Sequence, residues 1–388
     1  MSVATRRAGE PVIERGPWSV AVRSGPGDAE WDAFVGEVPG GHYAQLSAWA
    51  RLRGTSGWRA RRIVVSRRGE VVGGAQLLLR PLPVVGSLGY VPRGPLLAAG
   101  PGAPPPDLVV DALERVARGE RVRHLAVQPP LGADELAGLL PVRGFRANPR
   151  IGGYTATVRI DLRRDPGELL ARMRKSTRAN VRRALDRGIE VREGDGADVD
   201  ALYGILREAS RRKGFSIPTL EYHRELWRHF AADGRAHVFV AEAGGVPVTA
   251  HLVLVAGGCA YAHVAAWDGS HRHLMPNEAV EWHVIRWAKA RGCASYDLEG
   301  VDPASAGPAA APGAPRAGDR FVSDYKLGWE REVTAVPPTY EFVPGRVARW
   351  GYEHVYPWLE SNRLVKRLRA AAVPSVHGAG ADPVQAAP

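Results

Sequence analysis

A single lysine, Lys326, stands among aromatic residues in the stretch FVSDYKLGWEREV, Phe321 to Val333, directly after a run of Pro, Ala and Gly. An ammonium held there away from bulk water can steady an oxyanion, because a partly desolvated cation meets developing negative charge with little screening. Upstream, Tyr296-Asp297-Leu298-Glu299-Gly300 reads as a strand end and places Asp297 and Glu299 on one face at the rim of a sheet, since strand side chains alternate. Two close carboxylates push one pKa upward, which suits a base that takes a proton from an attacking ammonium. Each feature also has a plainer structural reading: an ion pair for Lys326, and a cap or arginine partner for one of the carboxylates.

A third candidate is basic. The helix that opens at Asp165-Pro166-Gly167-Glu168 has an N-cap, a proline in its first turn and a carboxylate three residues after the cap. Between Arg172 and Arg187 it carries seven cations (Arg172, Arg174, Lys175, Arg178, Arg182, Arg183, Arg187) against one acid, Asp186. Arg174, Arg178 and Arg182 step by four, and Lys175 joins them at three, so the spacing predicts one shared face. Such a stripe suits a phosphate backbone, or else is a solvated face near acids from elsewhere. No zinc finger or other base-reading motif accompanies it, so a nucleic acid would be held by backbone and shape.

Composition bounds the rest. Lys plus Arg number 52 against 41 Asp plus Glu, a net charge of +11, which predicts attraction to phosphates or an anionic surface. The two cysteines, Cys259 and Cys293, imply neither a disulfide framework nor a cysteine zinc site, and a reducing cytoplasm fits them best. No export signal and no bilayer-spanning run is expected. His271, His273 and His283 lack the acidic or cysteine partners of a metal site, so none is expected. Walker loops, GxGxxG after a strand and GxSxG are missing, which disfavours nucleotide hydrolysis, dinucleotide redox chemistry and serine hydrolysis.

The elements that must position these residues fall into two sets. The first has a hairpin (Arg61 to Ser66, Glu70 to Leu79), a short strand through Tyr90, a helix from Pro106 to Arg118 and a strand from Val122 to Gln128. The second has a strand from Thr155 to Leu162, the basic helix, helices within 198–213 and 219–232, three strands between His237 and Val264, a helix from Pro276 to Arg291 and a strand from Ala294 to Leu298. Two hairpin-bearing α/β units in tandem, each with a mixed central sheet, suggest a duplicated fold. The expected domains are 17–150 with 335–372, and 151–334, flanked by disordered tails at 1–16 and 373–388. Residues 303–319 are expected to be a mobile loop that covers or hinges a site.

In order and spacing, several short motifs resemble the FemABX family of aminoacyl-tRNA-dependent peptidyltransferases. They are GlnLeuSerAlaTrp (45–49), GlyGlyAlaGlnLeuLeuLeuArg (73–80), TyrValProArgGlyPro (90–95), ArgAlaAsnValArgArgAla (178–184), Gly214-Phe215, Glu221-Tyr222, TyrAspLeuGluGly (296–300) and Asp324-Tyr325-Lys326. The resemblance runs from about Gly41 to Trp350 and implies two tandem GNAT-like (acetyltransferase-like) α/β domains, of the armless kind. It implies amide formation: an amine on a peptidoglycan precursor, lipid II or UDP-MurNAc-pentapeptide, attacks the ester carbonyl of an aminoacyl-tRNA, with no acetyl-CoA and no other cofactor. The family's aromatic–lysine pair maps onto Tyr325 and Lys326, and the basic helix (Arg174, Lys175, Arg178, Arg182, Arg183) becomes the expected tRNA contact. The precursor site is expected in the first domain and the cleft between domains, at Arg51, Arg53, Tyr90 and Arg93 and at Tyr222, Tyr261 and His263. Arginines there suit diphosphate and carboxylate groups.

Other readings stay open at this point. The chain departs from the usual family pattern at Pro218, His263 and Glu299, which admits a secondary-metabolite or peptide amine as acceptor. An acyl-CoA N-acyltransferase needs a glycine-rich pyrophosphate loop before the Pro276 helix, where HisArgHisLeuMetProAsnGlu stands instead. A non-catalytic RNA-binding or membrane-surface protein is the fourth reading, through the aromatic and basic segment Arg346 to Arg369. The expected protein is a cytoplasmic monomer with a peripheral contact at the inner membrane face.

Overall fold

The computed structural model describes residues 11–82, 84, 86–149, 151–187, 189–303, 317–344 and 349–350. In chain order the first elements are β1 (Pro11–Arg15), β2 (Trp18–Ser24), α1 (Ala29–Glu37), α2 (Ser47–Gly54), β3 (Arg59–Arg67), β4 (Glu70–Leu82), β5 (Gly86–Val91), β6 (Leu96–Leu97), α3 (Pro106–Gly119), β7 (Val122–Val127), α4 (Asp134–Val142) and β8 (Arg146–Ala147). There follow β9 (Ala156–Asp161), α5 (Pro166–Arg172), α6 (Lys175–Asp186), β10 (Glu190–Glu193), α7 (Asp198–Lys213), α8 (Leu220–Ala231), β11 (Ala236–Ala243), β12 (Val246–Ala256) and β13 (Cys259–Trp267). The last are α9 (Pro276–Ala290), β14 (Ser295–Gly300), α10 (Ala317–Trp329), β15 (Val333–Ala335) and β16 (Tyr340–Phe342).

The described residues form two compact units, one from residues up to 152 together with those from 337 onward, the other from 153–336. In the first, the strand order is β1-β2-β3-β4-β5-β7-β16-β8 with β6 on β4. Helix α3 covers this sheet because Leu108, Val109, Ala112, Leu113, Val116 and Ala117 recur at helical spacing and are buried, with a proline at its first turn fixing the start. The motif glutamines hold the unit together from inside. Gln45 accepts from the Gln76 backbone N–H at 2.7 Å, and Gln76 donates to the carbonyls of Ala44 and Leu46 at 3.2 and 2.9 Å.

In the second unit the order is β10-β11-β12-β13-β14-β9-β15, antiparallel except for β13 beside β14. That parallel pair runs only from Cys259↔Ser295 to Tyr261↔Asp297, although both strands continue, so β13 and β14 part company beyond Tyr261. The corresponding parallel pair of the first unit, β5 and β7, stays paired from Ser87 through Val91. A split between parallel strands opens backbone groups and side chains to a ligand, and of these two parallel pairs the one in the second unit has it.

Four expectations need correction. Residues 11–15 are not tail but β1, zipped to β2 from Ile13↔Val20 to Arg15↔Trp18. The basic helix is broken: Met173 and Arg174 have ψ of 151° and 148°, so α5 and α6 are separate and Arg174 is the N-cap of α6. The break is pinned by the Arg174 N–H, which donates to Gly328 O at 2.8 Å. Thirdly, α10 begins at Ala317, inside the run expected to be loop, and residues 304–316 of that run lie outside the described residues. Fourthly, Asp297 and Glu299 do not alternate along a regular strand, because the register of β14 against β9 shifts between Asp297 and Gly300. The tail at 373–388 and most of the Arg346–Arg369 segment also lie outside the described residues; Arg349 does not, and its guanidinium sits over Phe342 at 5.8 Å.

Candidate active site

Just beyond the β13–β14 split, β14 does not continue as a regular strand. Its register against β9 shifts between Asp297 and Gly300, and Glu299 has φ +59°. A positive φ is uncommon for a side-chain-bearing residue and is held here by bonds. The Asp297 carboxylate accepts the Glu299 N–H at 2.7 Å, and Thr157 Oγ1 donates both to that carboxylate and, at 3.0 Å, to the Glu299 carbonyl. Asp297 and Glu299 therefore do not share a face by strand alternation. Asp297 is the buried brace of a bulge, and the bulge re-aims Glu299 toward His263, Oε1 to Nδ1 at 3.8 Å.

Lys326 comes to the same place from α10. It is 7% exposed, and its Nζ donates to the Gly300 carbonyl at 2.9 Å, one residue past the bulge. Burial lowers its pKa from the ordinary lysine range, while Glu299, Asp297 and Glu281 oppose that by favouring the ammonium. Burial raises the pKa of Asp297, the Thr157 hydrogen bond working against it. Thus one lysine and three carboxyl groups share a nearly dry volume, and an ammonium there keeps two N–H donors beyond the one given to Gly300.

Two members of this group carry little sequence signal. Glu281 on α9 and His251 on β12 are each 2% exposed, with Oε2 and Nδ1 3.8 Å apart. Tyr325 Oη donates to Glu281 Oε2 at 3.5 Å. Burial pushes the Glu281 carboxyl up to about 7 and the His251 imidazole down to about 4. The buried Tyr296 hydroxyl also faces the Glu281 carboxyl, and the hydrogen bond between them works against the upward shift of Glu281. The one available signal was positional: Glu281 lies three, four and seven residues before the buried Val284, Ile285 and Ala288, an acid on the apolar stripe of a helix.

The remaining candidates sort by unit. In the second unit Tyr261 is 5% exposed on β13 opposite Asp297, and His263 is 1% exposed beyond it. Tyr222 lies in the first turn of α8, its ring edge-on to His223, which is buried, lies near His263 and is pushed down to about 4 chiefly by burial. Within the first unit, α2 carries Arg51, which donates to Pro26 O at 3.3 Å, and Arg53, which lies over the indoles of Trp49 and Trp58 at 6.0 and 5.4 Å. Tyr90 is the last residue but one of β5, half-buried, and Arg93, two residues past the strand end, is buried at 6% exposure with φ +50°.

The basic stripe is only partly open. Arg172 is bidentate on Glu330, Arg174 donates to Asp324 O at 3.1 Å, and Arg178 donates to Leu170 O at 3.2 Å. Lys175, Arg182 and Arg183 are exposed and have no such partner among the described residues. Because α6 starts against the end of α10, with Thr177 beside Gly328, these cations stand on the helix that touches the helix of Lys326.

With the geometry in place, comparison with known proteins adds the following. A model of the FemAB family matches residues 27–135, and one for an acetyltransferase (GNAT) domain matches residues 171–326. The lipid II:glycine glycyltransferase of Staphylococcus aureus is 23% identical, over 70% of this chain and 83% of that protein. The crystal structure of FemX superposes with a TM-score of 0.73 at 20% identity, covering 84% of this chain and 97% of that one. L-PGS from Bacillus licheniformis superposes at 0.51 with 14% identity, covering 88% and 97%. Both structural likenesses speak to the fold, which is two tandem GNAT-like domains.

Proposed function

We propose, for a chain that belongs to the FemABX family, an aminoacyltransferase that forms an amide between an amino acid delivered as an ester and an amine of a peptidoglycan precursor. The observation that carries this reading is the convergence of Lys326, Glu299 and His263 at the split of β13 and β14, beside a helix that exposes Lys175, Arg182 and Arg183. The donor in this reading is aminoacyl-tRNA, whose phosphates suit those cations. Sequence similarity to a lipid II-dependent glycyltransferase supports the acceptor class.

The chemistry is acyl transfer. The acceptor amine attacks the ester carbonyl, the C–N bond forms, and the carbonyl oxygen gains negative charge. Lys326 answers that charge with N–H donors already aimed from a dry site, so little reorganisation is needed at the moment of reaction. Before attack the acceptor ammonium gives one proton to Glu299, which is held by the bulge and backed by His263. As the intermediate collapses, the C–O bond to the ribose breaks and the ribose oxygen takes up the second proton, which the nitrogen gives up in becoming the amide. Asp297 acts on Glu299 rather than on substrate. Tyr325 acts on Glu281, to which its hydroxyl donates, rather than on substrate. Acyl-CoA is not expected as donor: α9 starts with Pro276, which lacks an N–H, and Glu278 adds an acid in the first turn, a poor cradle for a pyrophosphate.

Purified protein, RNA charged with a labelled amino acid, and lipid-linked or nucleotide-linked pentapeptide acceptors test this. Labelled acceptor should appear, vanish with RNase treatment of the donor, and be indifferent to acetyl-CoA. A product that forms equally after RNase treatment would overturn the reading.

A further inference from the structure

One end of the first unit sets an exposed apolar residue among arginines. The strand directions bring to this end the start of β3, the β4–β5 turn, the start of β7 and the end of α3. From the end of β4 to the start of β5 the sequence is PLPVVG, residues 81–86, without a charge. Val84 is fully exposed and has φ +65°, a conformation that a β-branched residue adopts only under strain. An apolar side chain in water on a strained backbone carries two costs that no contact among the described residues offsets, and such an outlier points to a use outside the fold. Around it stand arginines: Arg59 opens β3, Arg80 lies over Trp58 at 6.0 Å, and Arg121 and Arg123 flank the start of β7. Arg123 lies over the turn itself, its Nε 3.2 Å from where a Cβ on Gly86 would be. The acid at this end, Glu120, is already paired with Arg61 at 2.6 Å, and Arg59 and Arg121 have no ion pair among the described residues.

An uncharged tip ringed by cations is complementary to one kind of surface, an apolar layer beneath an anionic one. We propose that this end of the first unit docks on an anionic lipid bilayer, with Val84 entering the acyl boundary and Arg59, Arg80, Arg121 and Arg123 facing the headgroups. This deepens the reading of a lipid-linked acceptor and rests on it for its purpose. Among the described residues no helix is long and apolar enough to cross a membrane, so attachment through this end would be peripheral and reversible. Each basic side chain at such a surface strengthens binding about fivefold, and salt weakens the effect.

The test is co-sedimentation of the full chain with vesicles of phosphatidylglycerol mixed with phosphatidylcholine, and with phosphatidylcholine alone. The wild type should bind the mixed vesicles and lose binding as salt rises. Val84→Asp, which a positive φ tolerates, and the double variant Arg121→Glu/Arg123→Glu should each weaken binding by about tenfold or more. Transfer to a nucleotide-linked, soluble acceptor should be unchanged in both. Equal binding by both variants, or equal binding to phosphatidylcholine alone, overturns the proposal. So does a double variant that loses affinity for RNA while holding vesicles as the wild type does. Val84-dependent vesicle binding by a protein that transfers nothing upholds the docking and sinks the activity.

Discussion

At Lys326 the proposed role depends on a charge with donors to spare, and Lys326→Met tests it with nearly the same volume. Turnover should fall at least about tenfold, and up to the several hundredfold that loss of an oxyanion donor brings, with the acceptor KM nearly unchanged. Equal turnover would remove Lys326 from the mechanism. Glu281 makes a different prediction, on stability. Its carboxyl holds its proton up to about 7 when folded, against an ordinary value of 4.5, so the stability it contributes is full below 4.5 and is lost as pH rises through 7. Glu281→Gln should therefore flatten the fall in urea midpoint between those two values. His251 has the opposite sign: kept neutral down to about 4 against 6.5, it contributes stability above 6.5 that drains away as pH falls toward 4. A wild type and a Glu281→Gln variant with parallel pH profiles would mean that the carboxyl titrates normally. Lys326 was visible in the sequence because a cation among aromatics stands out. Glu281 and His251 were not, because each sits inside an apolar run, and periodicity marks such positions as core whatever the side chain.

Helices and strands were legible wherever local chemistry and period agreed. The capping box of Asp165 and Glu168, the proline starts of α3 and α9, and the turn at Arg68-Gly69 all sit where their residues put them. Three features were not legible, each because a distant partner decides it. The α5–α6 break is fixed by the Gly328 carbonyl, the Glu299 bulge by Thr157, and β1 by a neighbouring strand that a polar composition does not announce. The same dependence makes Gly74 a sharp test of β4. It has φ +146°, and a Cβ there would come 2.0 Å from the Ile63 carbonyl oxygen across the hairpin. Gly74→Ala should cost about 3 kcal/mol or more, read as a lower urea midpoint, whereas Asp165→Ala should cost about 1 kcal/mol for a lost cap. A Gly74→Ala midpoint equal to the wild type's would mean that the strand pair relaxes more freely than close packing allows.

As a whole, the chain is one unit interrupted by another. The second unit runs without a break in sequence from 153 to 336 and has its own buried core, so residues 153–336 expressed alone should melt cooperatively. A broad, featureless melt would show that its core depends on the remainder. The first unit cannot be obtained by the same cut, since β16 sits between β7 and β8 and comes from beyond residue 336. A protein made from its N-terminus onward meets this arrangement as a schedule. The ribosome releases most of the first sheet, then the whole second unit, and only afterwards the strand that bridges β7 to β8. The edge of β7 therefore waits open through the synthesis of more than a hundred residues, and whatever shields it in that interval, whether a chaperone or its own polar flanks, is as much a requirement of this topology as any side chain in the finished molecule.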